Sequence, residues 1–222
     1  MDAIKARDVI IALDPPRGAD SLKWCKGIIE STADIVAGYK IGLPLLLDVG
    51  LRGLKELADA MGSCELKIAD FKLADIGFIM SEVLKRVSEV GYNAIIAHAF
   101  IGLAGGLGEL SKTCSEMSMK LITVVSMSHP GSMELIDMHL ENLIAISENA
   151  RVWGVVAPAT RPQIIRKIRK IVGARLKILS PGIGPQGAAP KTALEAGADY
   201  EIVGRLITYS DNPRRKIAEI YG

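Results

Sequence analysis

The chain has 222 residues, 49% hydrophobic and 23% charged, a composition that excludes disordered, collagen-like and disulfide-scaffold classes. Its 27 basic and 25 acidic residues leave a net charge of +2, too balanced to imply a surface for nucleic acid or membrane. The length is long for one ordinary domain and short for two, and is reached as a single domain by all-β sandwiches and α/β barrels.

In chain order, the first ten residues carry charges at positions 2, 5, 7 and 8, so they lack the apolar centre of a signal peptide. Short apolar runs then alternate with longer, charge-bearing segments. Strands are predicted at 8–13, 35–41, 65–71, 93–98, 120–125, 153–157, 177–180 and 200–203. Helices are predicted at 21–31, 45–61, 76–90, 103–117, 132–150, 161–172, 191–196 and 212–221. The stretch 90–108 holds no Asp, Glu, Lys or Arg, but its five glycines, Asn93 and His98 suit a strand, a loop and a helix start better than a membrane span.

Strands alternating with helices imply a parallel sheet covered by helices. Eight such units without a large insertion favour a closed (β/α)8 TIM barrel. An open, Rossmann-like sheet would be favoured by a GxGxxG after the first strand; ALDPPRGAD stands there instead. No Pro/Ser-rich linker divides the chain, so 1–222 reads as a single barrel domain. Cys25, Cys64 and Cys114 are odd in number and show no CxxC spacing, which fits reduced thiols in a cytoplasmic protein.

In such a barrel, reactive groups sit where strands end and βα loops begin. Asp14 follows the first predicted strand, Lys40 lies near the end of the second, and Asp70 and Lys72 close the third. His98 ends the fourth, Ser126 and Ser128 follow the fifth, and Gly204 and Arg205 follow the eighth. Alternation of side chains puts Leu66, Ile68, Asp70 and Lys72 on one face. The same pattern puts Ile10 with Ala12 and Asp14, and Val36 with Gly38 and Lys40. Taken singly, Asp75 reads as a helix N-cap and Lys40 as a snorkelling lysine. Together these charges would converge in one barrel mouth, where unpaired burial is costly, so an ion-pair network is expected.

The segment 180–187 is rich in Gly and Pro. With Gly204 and Arg205 after the next strand, it matches the place where these barrels build phosphate sites. Arg205 suits bidentate phosphate binding, and Gln186 is placed to join it when a loop at about 180–191 closes as a lid. His98 reads as a hydrogen-bonded histidine at the rim, His129 as part of a loop, and His139 as a solvated helix residue. No His, Cys and carboxylate cluster has metal-ligand spacing, and no G-x-S-x-G elbow is present.

The run Asp70-Phe71-Lys72-Leu73-Ala74-Asp75 reads D-x-K-x-x-D. With Ala12-Leu13-Asp14, Lys40-Ile41-Gly42, Met127-Ser128-His129-Pro130-Gly131, the Ser180–Gly187 loop and Gly204-Arg205, it resembles the orotidine 5′-monophosphate decarboxylase family. The pieces keep the family's order along nearly the whole chain. The resemblance implies conversion of orotidine monophosphate to uridine monophosphate and CO2 in de novo pyrimidine biosynthesis, without metal or organic cofactor. Lys72 would donate a proton to C6 of the pyrimidine, Asp70 would lie beside the departing carboxylate, and Lys40 would complete the array and contact ribose. Asp75 would reach the site of a second subunit in a homodimer. Asp14 would bind ribose hydroxyls, Ser128 the pyrimidine edge, and Gln186, Gly204 and Arg205 the phosphate. Ile76, Pro181, Gly182, Gly184 and Gly187 join the implied substrate-binding set. Relatives are expected to carry a ribose-binding threonine near position 79, where this chain has Ile79.

Two alternatives accompany this reading. Mg2+-dependent sugar-phosphate decarboxylases or aldolases of the same superfamily share D-x-K-x-x-D but use a glutamate where Lys40 stands, and a lysine would repel that metal. A non-catalytic nucleotide-binding barrel would keep Arg205 and the loop but would not need the charged array. A nucleic-acid partner is disfavoured by an aromatic content of only 5%.

Overall fold

In the computed structural model, which describes residues 5–222, the eight apolar runs form eight parallel strands closed into a barrel. Positions 1–4, the start of the segment read as lacking a signal peptide, lie outside the described residues. The strands are β1 (Val9–Leu13), β2 (Gly38–Gly42), β3 (Leu66–Leu73), β4 (Ala94–His98), β5 (Lys120–Val124), β6 (Gly154–Val156), β7 (Lys177–Pro181) and β8 (Tyr200–Val203). Each pairs with the next, and β8 returns to β1 through Ile10 opposite Ile202. The fold is the predicted (β/α)8 TIM barrel.

The strands are apolar runs because both faces are covered. In β1, Ile10 and Ala12 face the barrel interior, while Val9, Ile11 and Leu13 join the core beneath the helices. In β3, Leu66 and Ile68 point inward, and Ala69 and Phe71 point out. The predicted alternation fails at the start of β2. Val36 packs under the helices and Ala37 inside the barrel, because a bend at 36–37 precedes the strand and breaks the two-residue period. Gly38 then meets Leu66 across the β2–β3 pairing, where a Cβ would stand 1.8 Å from the Leu66 carbonyl oxygen.

The helices are α1 (Ser21–Thr32), α2 (Leu43–Ala60), α3 (Gly77–Glu89), α4 (Gly108–Glu116), α5 (Leu140–Asn149), α6 (Pro162–Val172), α7 (Thr192–Glu195), α8 (Arg205–Thr208) and α9 (Pro213–Tyr221). Asp20 caps α1 by accepting from the Lys23 amide at 3.0 Å, and Asn212 caps α9 through the Arg215 amide at 2.9 Å. Pro44, Pro162 and Pro213 occupy first turns, where a missing N–H leaves no bond unmade.

Two predicted helices are shorter than expected. Of 103–117, only Gly108–Glu116 is α-helical; Leu103–Leu107 is a π-type turn broken at Ala104, Gly105 and Gly106. Of 132–150, only Leu140–Asn149 is α-helical, preceded by 3-10 turns at Pro130–Glu134 and Asp137–His139. The four-residue helix α8 was not anticipated.

At the N-terminal end of the barrel, Trp153 stacks on Tyr200 with ring centroids 6.1 Å apart, and Lys120 sits over the indole. The Tyr200 hydroxyl donates to Glu65 at 3.2 Å. These side chains pack together across the N-terminal end of the barrel. All three cysteines are free thiols. Burial pushes the Cys25 and Cys114 thiols up to about 12, which keeps them protonated and unreactive. Among the described residues, no helix is long and apolar enough to cross a membrane.

Candidate active site

A cavity of about 510 Å³ opens at the C-terminal mouth of the barrel. Its walls take one or two residues from each of the eight strands. Asp14, Lys40, Asp70, Lys72, Ser128, Pro181, Gly182, Gln186, Gly204 and Arg205 all line it, so most of the predicted site residues come together.

The charged centre is Asp70. Its carboxylate accepts from Lys72 Nζ at 2.9 Å to both oxygens, and its Oδ2 lies 3.3 Å from Lys40 Nζ. Asp70 and Lys40 are nearly buried, whereas the Lys72 side chain is 40% exposed and faces the open cavity. Burial alone would push the Asp70 carboxyl up, but the two ammonium groups outweigh it and hold the acid below its ordinary value. The predicted network therefore forms, as a carboxylate between two lysines.

Backbone geometry aims Lys72. The β3–β4 pairing shifts register between Ala69 and Leu73, and Lys72 adopts φ of +46°, a left-handed conformation that a lysine rarely takes. A bulge of this kind re-aims a side chain at the cost of local strain. Residue identity gives no sign of it.

Asp75 departs from the expectation of one shared barrel mouth. It is exposed and lies outside this chain's cavity. Its carboxylate accepts from the adjacent Ile76 amide at 2.7 Å rather than from a deeper turn of α3, so it is not the helix N-cap either; Ile76 holds that position without a side-chain cap. Ile76 also stays outside, 61% exposed beside Phe78 at 64%. Gly184 and Gly187 lie in the 182–191 loop but do not line the cavity. Gly184 is required there: its φ is +78° and a Cβ would meet Leu206 at 2.9 Å.

His98 is not the hydrogen-bonded rim histidine expected. Its Nδ1 is buried without a partner among the described residues, and its ring lies 4.7 Å from that of Phe100. Burial lowers its pKa, and Lys72 adds to this against the opposing pull of Asp70.

Sequence reasoning did not assign two features. The cavity floor is apolar, built from Ala12, Ile96, Val124, Val156 and Ile202; these residues sit at inward-facing strand positions, but their types match ordinary core. The second feature stabilises the segment carrying Ser128. Ser126 and Ser132 donate to Asp137 Oδ1 at 2.7 and 2.9 Å. Arg161 donates to Asp137 and to the Met127 carbonyl, and the Met127 amide donates to Ser132 Oγ at 3.0 Å. Both backbone groups of Met127 are thus fixed, one residue before Ser128.

Fold and site together define a (β/α)8-barrel enzyme whose working groups gather at the C-terminal ends of the strands. Residues 7–220 match the family described as Orotidine 5′-phosphate decarboxylase / HUMPS, and the chain belongs to that family. It is 45% identical to an orotidine 5′-phosphate decarboxylase of Aeropyrum pernix over 92% of this chain and 83% of that one. The crystal structure of orotidine 5′-monophosphate decarboxylase from Sulfolobus solfataricus superposes with a TM-score of 0.83 at 35% identity, covering 96% of this chain and 95% of that one. The Methanocaldococcus jannaschii enzyme, complexed with the inhibitor BMP, gives a TM-score of 0.84 at 29% identity over 96% of each chain.

Proposed function

We propose that the chain decarboxylates orotidine 5′-monophosphate to uridine monophosphate, with Lys72 as the proton donor and without a metal or organic cofactor. The observation that carries this reading is the Asp70 carboxylate bonded by Lys72 at 2.9 Å and approached by Lys40 at 3.3 Å within a nucleotide-sized cavity.

The substrate's C6–carboxylate bond breaks, its electron pair stays on C6, and CO2 departs. That pair lies in the ring plane without a conjugated sink, so stabilisation falls to a fixed positive charge. The Lys72 ammonium supplies that charge, then gives its proton to C6 and regains one from solvent. Asp70 holds Lys72 in place beside the departing carboxylate. As that group loses its charge it becomes apolar, which suits the floor of Ile96, Val124 and Val156. Asp14 and Lys40 bind the ribose, Ser128 the pyrimidine edge, and Gln186, Gly204 and Arg205 the phosphate. A charge pair at 4 Å contributes about 4 kcal/mol at an effective dielectric of 20, far short of the barrier, so phosphate binding must also drive closure and desolvation.

The enzyme is a homodimer in this reading. Asp75 lies outside its own cavity amid exposed Ile76 and Phe78, as expected of a residue that enters the site of a second copy. The free thiols suit a reducing, cytoplasmic setting. Lys40 disfavours the Mg2+-dependent sugar-phosphate branch of the family.

The test is Lys72→Ala, assayed by the absorbance change of orotidine monophosphate with and without EDTA. The wild type is expected to turn over equally in both. The variant should lose at least about a thousandfold in kcat, typical of removing a proton donor with its charge, while still binding uridine monophosphate. Normal turnover by the variant would remove Lys72 from the role.

A further inference from the structure

Glu201 is fully buried on β8 and does not line the cavity. A carboxylate on the helix-facing side of a barrel strand is costly unless satisfied, and its neighbour on that face, Val203, belongs to the apolar core. Three donors satisfy Glu201. Its Oε2 accepts from the Lys191 amide at 3.0 Å and its Oε1 from the Ala193 amide at 2.9 Å. The Tyr221 hydroxyl, from the last turn of α9, donates to Oε2.

The two backbone donors mark the end of the 182–191 loop. Lys191 has φ of +71°, a left-handed conformation disfavoured for a lysine and maintained only where surroundings fix it. The loop leaves the sheet at Pro181, and Glu201 is the register partner of Ser180, the residue before. Both roots of the loop therefore meet at one point of the β7–β8 pairing. Between them, the Gly184 amide donates to the Ala188 carbonyl at 2.8 Å and the Ala188 amide to the Gly182 carbonyl at 3.2 Å. Ile183 and Ala188 are buried, leaving Pro185, Gln186 and Gly187 exposed at the tip. Four residues past Glu201, the same chain segment presents Arg205 to the cavity.

We propose that Glu201 is a positioning residue for phosphate binding: it fixes the far root of the 182–191 loop, so that only the tip bearing Gln186 has to order around a phosphate. This rests on the phosphate assignment above. Loosening the root would make the whole loop pay an ordering cost when phosphate binds, and a ligand lacking phosphate would not register it.

Glu201→Gln and Glu201→Asp test this by calorimetric titration with uridine monophosphate and, separately, uridine. Each variant is expected to bind the nucleotide about tenfold more weakly and uridine as the wild type does. Tyr221→Phe, which leaves both backbone donors in place, should stay within about twofold of wild type for both. Nucleotide affinity unchanged in the Glu201 variants overturns the proposal and leaves the decarboxylase reading standing. A wild type that binds the two ligands alike removes the phosphate site itself, and this role with it. Hydrogen exchange on the wild type needs no variant. The Lys191 and Ala193 amides should be protected without ligand and Gln186 only with uridine monophosphate; exchange at Lys191 as fast as at Gln186 overturns the anchor.

Discussion

Between Lys40 and Lys72, Asp70 ties the stability of the protein to pH as well as organising the site. Its carboxyl is held below the ordinary value, about 3.9 for aspartate, so its ionised form is favoured by folding. That contribution is fully present above the ordinary value and is lost as pH falls through the lowered one. Asp70→Asn keeps the shape but not the charge, so it should be less stable than wild type at neutral pH. The two should converge in acid, where the wild-type carboxyl is protonated and resembles the amide. Urea midpoints measured from pH 7 down to acid below the lowered value check this; a gap that stays constant throughout would show that Asp70 gains nothing from its lysines. Asp70 was legible because it follows Leu66 and Ile68 at two-residue intervals; Lys72 continues that spacing, but the register shift that aims it was not legible. The floor was not, since Ile96, Val124 and Val156 look like any inward-facing core residue. Nor was the His98 Nδ1, buried without a partner among the described residues, since that depends on what the neighbouring loops offer.

Elements place these residues, and the least regular ones matter most. The bulge in β3 turns Lys72 into the cavity, and Asp137, the first residue of the Asp137–His139 3-10 turn, stabilises the Met127–Ser128 segment through Ser126, Ser132 and Arg161. Asp137→Ala would leave the mostly buried Arg161 guanidinium without its counter-charge and two hydroxyls without an acceptor. Breaking a buried pair from one side costs about 3–5 kcal/mol, so about 3 kcal/mol of unfolding free energy should be lost by urea titration. KM for orotidine monophosphate should rise more than kcat falls, because Ser128 is loosened rather than removed. An unchanged midpoint and KM would count against the network. The eight strands could be read from sequence because each is a short apolar run between helical segments. The helices at 103–117 and 132–150 could not be bounded: Gly105 and Gly106 break the first, and Asp137 turns inward to Arg161 in the second. The start of β2 was misjudged for a similar reason, since a bend at 36–37 reverses the inward and outward positions.

At the scale of the molecule, one chain holds Lys40, Asp70 and Lys72 in its own barrel mouth and presents Asp75 outward. A two-fold dimer resolves this if each copy lends Asp75 to the other, since an isologous interface forms the same contact twice. The exposed Ile76 and Phe78 beside Asp75 supply apolar area for such an interface. The direct measurement is decarboxylation of orotidine monophosphate by Lys72→Ala and Asp75→Asn chains, each alone and after unfolding and refolding together. Each variant alone should be nearly inactive, because every one of its sites lacks a required group. In the mixture, half the dimers pair one chain of each kind, and one of their two sites combines an intact Lys72 with an intact Asp75. About a quarter of wild-type activity should therefore return, as random assortment of a two-fold dimer requires. A mixture of folded dimers as inactive as its components, or substantial activity in either variant alone, would contradict the account.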